Sequence, residues 1–142
     1  MKNVKIIFSL FILIYVWACS SKPKPNLELF SPEAFAFDVD NSWEVNATVN
    51  AKGFSQFDAD DKPGINLFYK VDLITPANDT IKGIFDKSIL MNEKKDIMDL
   101  QLEAQIELDS TFTSGEYNLV FNVSDEISKQ TKSILIPFTL EN

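Results

Sequence analysis

The sequence predicts an all-β domain, a single antiparallel β-sandwich of about seven short strands, set behind a signal peptide and a short linker. Three observations predict it. Apolar and polar residues alternate along several runs, as half-buried strands require. Clusters of Asp, Asn, Pro, Ser and Gly fall between those runs. Apolar residues make up 45% of the 142 residues and charged residues 24%, ordinary values for a globular chain. The organisation read from these patterns is a signal peptide over 1–18, a lipidated cysteine and Pro-rich tether over 19–25, and the sandwich over 26–142.

Weak strands open the domain at Leu27–Phe30 or Phe35–Val39. The clearest run follows, with Trp43, Val45, Ala47, Val49 and Ala51 on one face and Glu44, Asn46, Thr48, Asn50 and Lys52 on the other. Such a strand belongs to an antiparallel sheet with one wet face. The Ile65–Leu73 run also carries Phe68 and Ile74 on its second face, which predicts a central strand buried on both sides. A weak strand is expected at Ile81–Phe85. The Ile89–Asp109 stretch also permits a helical face, but the period-two template accounts for all six apolar positions from Met98 to Leu108, so strand is expected there. A short helical turn fits Met91–Lys95. Tyr117–Val123 and Ile134–Leu140 complete the set. Turn chemistry separates the runs at Asp38–Asn41, Asp58–Gly64, Thr75–Asp79 and Ser114–Gly115.

One motif narrows the sandwich. Phe112-Thr113-Ser114-Gly115-Glu116-Tyr117 resembles the tyrosine corner of immunoglobulin-like and fibronectin type III-like domains. The resemblance implies that Tyr117, held behind Gly115 at the start of the penultimate strand, turns its hydroxyl back onto upstream backbone. With no cysteine pair, the domain is not of the antibody type. A cadherin-like or transthyretin-like arrangement, a jelly roll or a small barrel also fits the periodicity.

At the amino terminus, Lys2 and Lys5 precede an apolar run, Ile6–Trp17. Twelve helical residues rise about 18 Å, short of a bilayer core of about 30 Å, so the run reads as a signal-peptide core. Val16-Trp17-Ala18-Cys19 resembles the lipobox of bacterial lipoproteins. That resemblance implies a diacylglycerol thioether and a palmitate-type acyl chain on Cys19, the only cysteine. Several acyl chains anchor stably where one does not. Ser20 in place of Asp implies the outer membrane rather than inner-membrane retention. Ser20–Pro25 is a stiff, polar tether.

Charge excludes several functions. The chain has 13 lysines, no arginine, no histidine and a net charge of −8. Lys2 and Lys5 are the only charges before Cys19, so the remainder carries two positive charges fewer, −10. Such a surface repels phosphate backbones, so no nucleic-acid partner is expected. No imidazole is present as base or ligand, no Gly-rich phosphate loop exists, and no carboxylate pair is placed in a cleft, so no enzyme is expected.

The candidate sites are sparse. Asp58, Asp60 and Asp61, joined by Asp125 and Glu126 from a loop at the same end, could coordinate calcium through oxygen. The spacing is not that of an EF-hand, and a solvated acidic loop that aids solubility is the plainer reading. Asp38, Asp40 and Asn41 read as an ordinary turn. Phe54 and Phe57 flank the acidic loop and are candidates either for partner contact or for plugging the sandwich. Asp79-Thr80-Ile81 and Asp109-Ser110-Thr111 resemble the O-glycosylation motif of Bacteroidota, and the composition fits such a source. The function expected is a lipid-anchored envelope module that recognises a protein or glycan through loops or a sheet edge. The alternatives are an acidic inhibitor or immunity lipoprotein against a basic enzyme, steered by charge, and a calcium-dependent binding module.

Overall fold

The computed structural model describes residues 24–60, 62–92 and 96–141. Cys19, the signal sequence and Asp61 lie outside them. Among the described residues there is no helix, and eight antiparallel strands form two sheets. They are β1 (Glu28–Asp38), β2 (Trp43–Lys52), β3 (Phe57–Ala59), β4 (Lys62–Ile74), β5 (Thr80–Asn92), β6 (Asp99–Leu108), β7 (Gly115–Asp125) and β8 (Thr131–Leu140).

One sheet has the order β1-β2-β6. In the other, β5 pairs one edge of β4, while β7 and then β8 extend from the opposite edge. Short β3 pairs Lys62–Gly64, where β7 has already ended, and so prolongs the β7 side. The sheets face one another with β1 alongside β8 and β5 alongside β6. This is a single antiparallel β-sandwich of two packed sheets.

The alternation read from the sequence is what the sheets bury. On β2, Val45, Val49 and Ala51 are inaccessible while Glu44, Asn46 and Thr48 face outward. Ala47 sits opposite Ala104 on β6, leaving shallow relief on that sheet. The facing sheet carries the large rings. Tyr69 on β4 stacks on Phe121 of β7 at 5.9 Å between centroids and meets Phe85 of β5 at 6.0 Å. Its hydroxyl crosses the sandwich and donates to the Glu103 carbonyl on edge strand β6. Burial pushes the Tyr69 hydroxyl above its ordinary pKa, so it stays a donor.

Several boundaries differ from the sequence expectation. The two alternatives for the first strand are both occupied, because a register shift between Phe30 and Glu33 lets one strand continue through Ser31-Pro32. Of the Met91–Lys95 stretch suited to a helical turn, Met91 and Asn92 instead end β5, with Met91 opposite Ile65 and packed against the core, and residues 93–95 lie outside the described residues. Met98 is left outside β6 and exposed. Central β4 is buried on one face only, since Phe68 and Ile74 are half-exposed. Beside Asp72, a shift in the β4–β5 register puts Gly83 at φ 65° with its N–H on the Asp72 carboxylate at 2.7 Å.

Tyr69→Phe is expected to lower unfolding stability by about 1–3 kcal/mol, because it orphans a carbonyl on β6. Urea denaturation checks this: the midpoint should fall with the slope unchanged.

Candidate functional site

The strand directions sort the loops into two ends. The segment entering β1 lies at one end with the β2–β3 connection, the β3–β4 turn and the β7–β8 turn. The β1–β2, β4–β5 and β6–β7 connections lie at the other. Ten-residue β2 separates the ends by about 30 Å.

The entry end is built around Asp125. This side chain is fully buried, and its two oxygens accept four hydrogen bonds. Oδ2 takes the Ser55 N–H and the Ser128 hydroxyl, each at 2.7 Å. Oδ1 takes the Ile127 N–H at 2.9 Å and the Ser128 N–H at 3.2 Å. Burial alone would raise its pKa. Donors from Ser128, Ser55 and Ile127 outweigh that and hold it below the usual carboxylate value.

One turn further, Gln130 clamps the incoming chain. Its amide oxygen accepts the Leu27 N–H at 3.0 Å and its amide nitrogen donates to the Pro25 carbonyl at 2.7 Å. Asn26 donates to the Gly53 carbonyl at 2.8 Å. Gly53 has φ 68°, and a Cβ there would lie 2.1 Å from the Asn26 carbonyl oxygen. Pro25–Leu27 is thereby seated between the β2–β3 connection and the β7–β8 turn.

The residues singled out from sequence take separate structural roles, although Asp58, Asp60, Asp125 and Glu126 share the entry end. Asp58 and Asp60 belong to a tight hairpin, with Ala59 paired to Lys62 and Asp60 at φ 51°. Asp125 is committed to the buried network, and Glu126 pairs with Lys129 at 3.0 Å. Among the described residues no group of three or more acidic side chains is gathered to hold a metal. Phe54 is not an exposed contact: it is buried in the core, filling the base of the sandwich. Phe57 is half-buried against Gly64, whose added Cβ would meet its ring. Tyr117 forms the corner, its hydroxyl donating to the Thr113 carbonyl at 2.9 Å, with Gly115 opening the strand behind Pro76. Asp40 and Asn41 are consecutive left-handed residues in the two-residue β1–β2 turn, closed by mutual Val39–Ser42 hydrogen bonds.

The far end carries an open groove of about 680 Å³, bordered by Asp38, Asn41 and Trp43 on one side and Ser110 and Phe112 on the other. Trp43 donates its indole N–H to the Phe112 carbonyl at 3.3 Å, which ties the two loops together. Rising toward this end are three exposed apolar side chains, Phe35 and Phe37 on β1 and Val39 just beyond it in the β1–β2 turn. Sequence reasoning missed these, along with Gln130. Phe35 and Phe37 were legible as strand residues, but their outward phase depends on the shift after Phe30. The Asp125-x-x-Ser128 spacing did carry the signal of a side chain bonding its own turn.

No protein-family model matches the chain, and no curated protein matches it. Solved structures give remote likenesses. A family 123 glycoside hydrolase from Clostridium perfringens, which hydrolyses glycolipid glycans, aligns at 14% identity and TM-score 0.46. The match covers 70% of this chain but 21% of the hydrolase, so the chain spans about a fifth of that protein. A structural-genomics target aligns at 12% identity and TM-score 0.36, covering 85% of this chain and 88% of its own. An Archaeoglobus fulgidus protein aligns at 11% and 0.36, covering 81% and 99%. No functional statement comes from these likenesses.

The Asp125 network makes the fold acid-sensitive. Its native pKa lies below that of the unfolded chain, so its stabilisation is present above the unfolded value near 4. It is lost as pH falls through the lower native value. Asp125→Asn should destabilise the fold at pH 7 and flatten the fall in Tm between about pH 5 and pH 2. Thermal melts across that range test it.

Proposed function

We propose that the protein is a lipid-anchored module of the bacterial cell envelope whose task is binding. Cys19 carries the acyl chains and the outer membrane is the site of residence. A protein or glycan partner meets the sandwich away from the lipid. The observation that supports this most directly is the seat of the tether. Pro25–Leu27 is pinned by Gln130 and Gly53 at one end of the sandwich. Only five residues separate Cys19 from Pro25, so a lipid on Cys19 would hold that end close to the membrane. The Trp43–Phe112 groove and the β1 ridge would then project about 30 Å outward, toward a partner. The pinning of Pro25–Leu27 favours this, because a short tether then joins the domain at one fixed point on that end.

Labelled palmitate fed to expressing cells should enter the wild-type chain and not Cys19→Ala, and Cys19→Ala should leave the membrane fraction. Equal labelling of both removes the anchor. A photo-crosslinking side chain at Asn41 or Gln105 should yield a discrete adduct in intact cells, and one at Glu126 should not. Adducts at Glu126 alone would put the partner at the membrane end and overturn the orientation.

A further inference from the structure

The outer face of the three-stranded sheet is unusual in what it places side by side. Cross-strand partners point to the same side of a sheet. Phe35 is therefore level with Asn46 and Gln105, and Phe37 with Glu44 and Glu107. Past Glu33 the β1 column turns apolar and open to solvent, with Phe35 and Phe37 exposed by 60% and 53% and Val39, in the turn beyond, by 48%. The β6 column alternates carboxylates and amides, Asp99, Gln101, Glu103, Gln105 and Glu107. Phe37 and Glu107 are two strand spacings apart, about 10 Å.

Edge protection accounts for acids on β6, but the fold explains neither the β1 ridge nor the pairing of Glu44 with Glu107. Exposed phenylalanines add nothing to the core and invite association. Glu44 and Glu107 are direct cross-strand partners of like charge, an arrangement that costs stability. Lys52 is the one cation on this face among the described residues. It sits at the tether end, where it is paired with Glu28 at 3.1 Å and lies over the Phe30 ring. The carboxylates near the far end therefore face outward without a counter-charge on their own sheet.

We propose that this face, from the Phe35–Phe37–Val39 ridge to the Glu103–Glu107 column, docks a cationic amphipathic segment of a partner protein. Its apolar side chains would lie on the ridge. Its lysines or arginines would reach the carboxylates about 10 Å away. Charge complementarity selects that occupant: a lipid surface with anionic headgroups would be repelled by Glu44, Glu103 and Glu107, and a second copy would bring the same charges. The proposal deepens the reading of the protein as a binding module and names the chemistry of its partner. Palmitate labelling tests the anchor, and the titration below tests this face alone, so the two fail separately.

The probe is a ten-residue peptide of alternating Lys and Leu, titrated into the full chain in non-ionic detergent, with a Glu–Leu peptide as control. The Lys–Leu peptide is expected to bind and the Glu–Leu peptide not. Phe35→Ser with Phe37→Ser should weaken binding at least tenfold while keeping its salt dependence. Glu44→Gln with Glu107→Gln should weaken binding, flatten the salt dependence and raise Tm, since a repulsive pair is gone. Asp86→Asn with Glu116→Gln removes the same charge from the other sheet and should leave binding within twofold. Equal loss in both charge variants would reduce the effect to net charge and overturn the proposal. So would binding that ignores the two phenylalanines.

Discussion

Two sheets held face to face, with no disulfide available to them, must dry a continuous apolar interior, and the rest of the molecule follows from that demand. Each strand gives one face of its alternation to the interior. The β1-β2-β6 sheet contributes small residues at Ala47 and Ala104, and the facing sheet contributes Tyr69, Phe121 and Phe138. Large rings against a shallow surface let the layers approach closely enough for the Tyr69 hydroxyl to reach the backbone of β6. That one polar link also serves an edge strand, whose carbonyls have no further strand to pair with.

The base of the sandwich shows the same economy in polar form. Four donors from two separate loops converge on Asp125, so one carboxylate shapes the β7–β8 turn and fixes the β2–β3 connection to it. Gln130, at the end of that turn, then pairs with the incoming chain much as a neighbouring strand would. A buried charge is tolerated here because every bond it makes favours its ionised form. The consequence is mechanical: Pro25–Leu27 enters the domain along one fixed path.

What the core and the base require stops short of the outer face of β1-β2-β6. Edge strand β6 carries carboxylates along its exposed side, which discourages strand addition by another chain. That accounts for acids on β6. It leaves unexplained the aromatic ridge on β1 and the placing of Glu44 against Glu107. Natural surfaces carry such liabilities where something else makes use of them.

Strand existence was legible wherever alternation was strict. β2 matches its run from Trp43 to Lys52, and β6, β7 and β8 fall where period two placed them, because a half-buried strand has to write its burial into every second residue. The tyrosine corner was equally local, a hydroxyl reaching four residues back. The candidate site was less legible. Asp125 announced itself as an acid, but whether it would face a cation or four protein donors depended on Ser55, seventy residues away. Phe54 looked like a loop aromatic until the base of the sandwich closed over it. By itself, the sequence determined the fold class, most strand phases and the acidic, histidine-free chemistry, all of which are carried by neighbours in the chain. Tertiary structure alone decided which side of β1 turned outward, which acids were spent on structure and which stood beside exposed rings. Those outcomes rest on strand pairing and register, and pairing joins residues whose separation along the chain leaves no trace in local pattern.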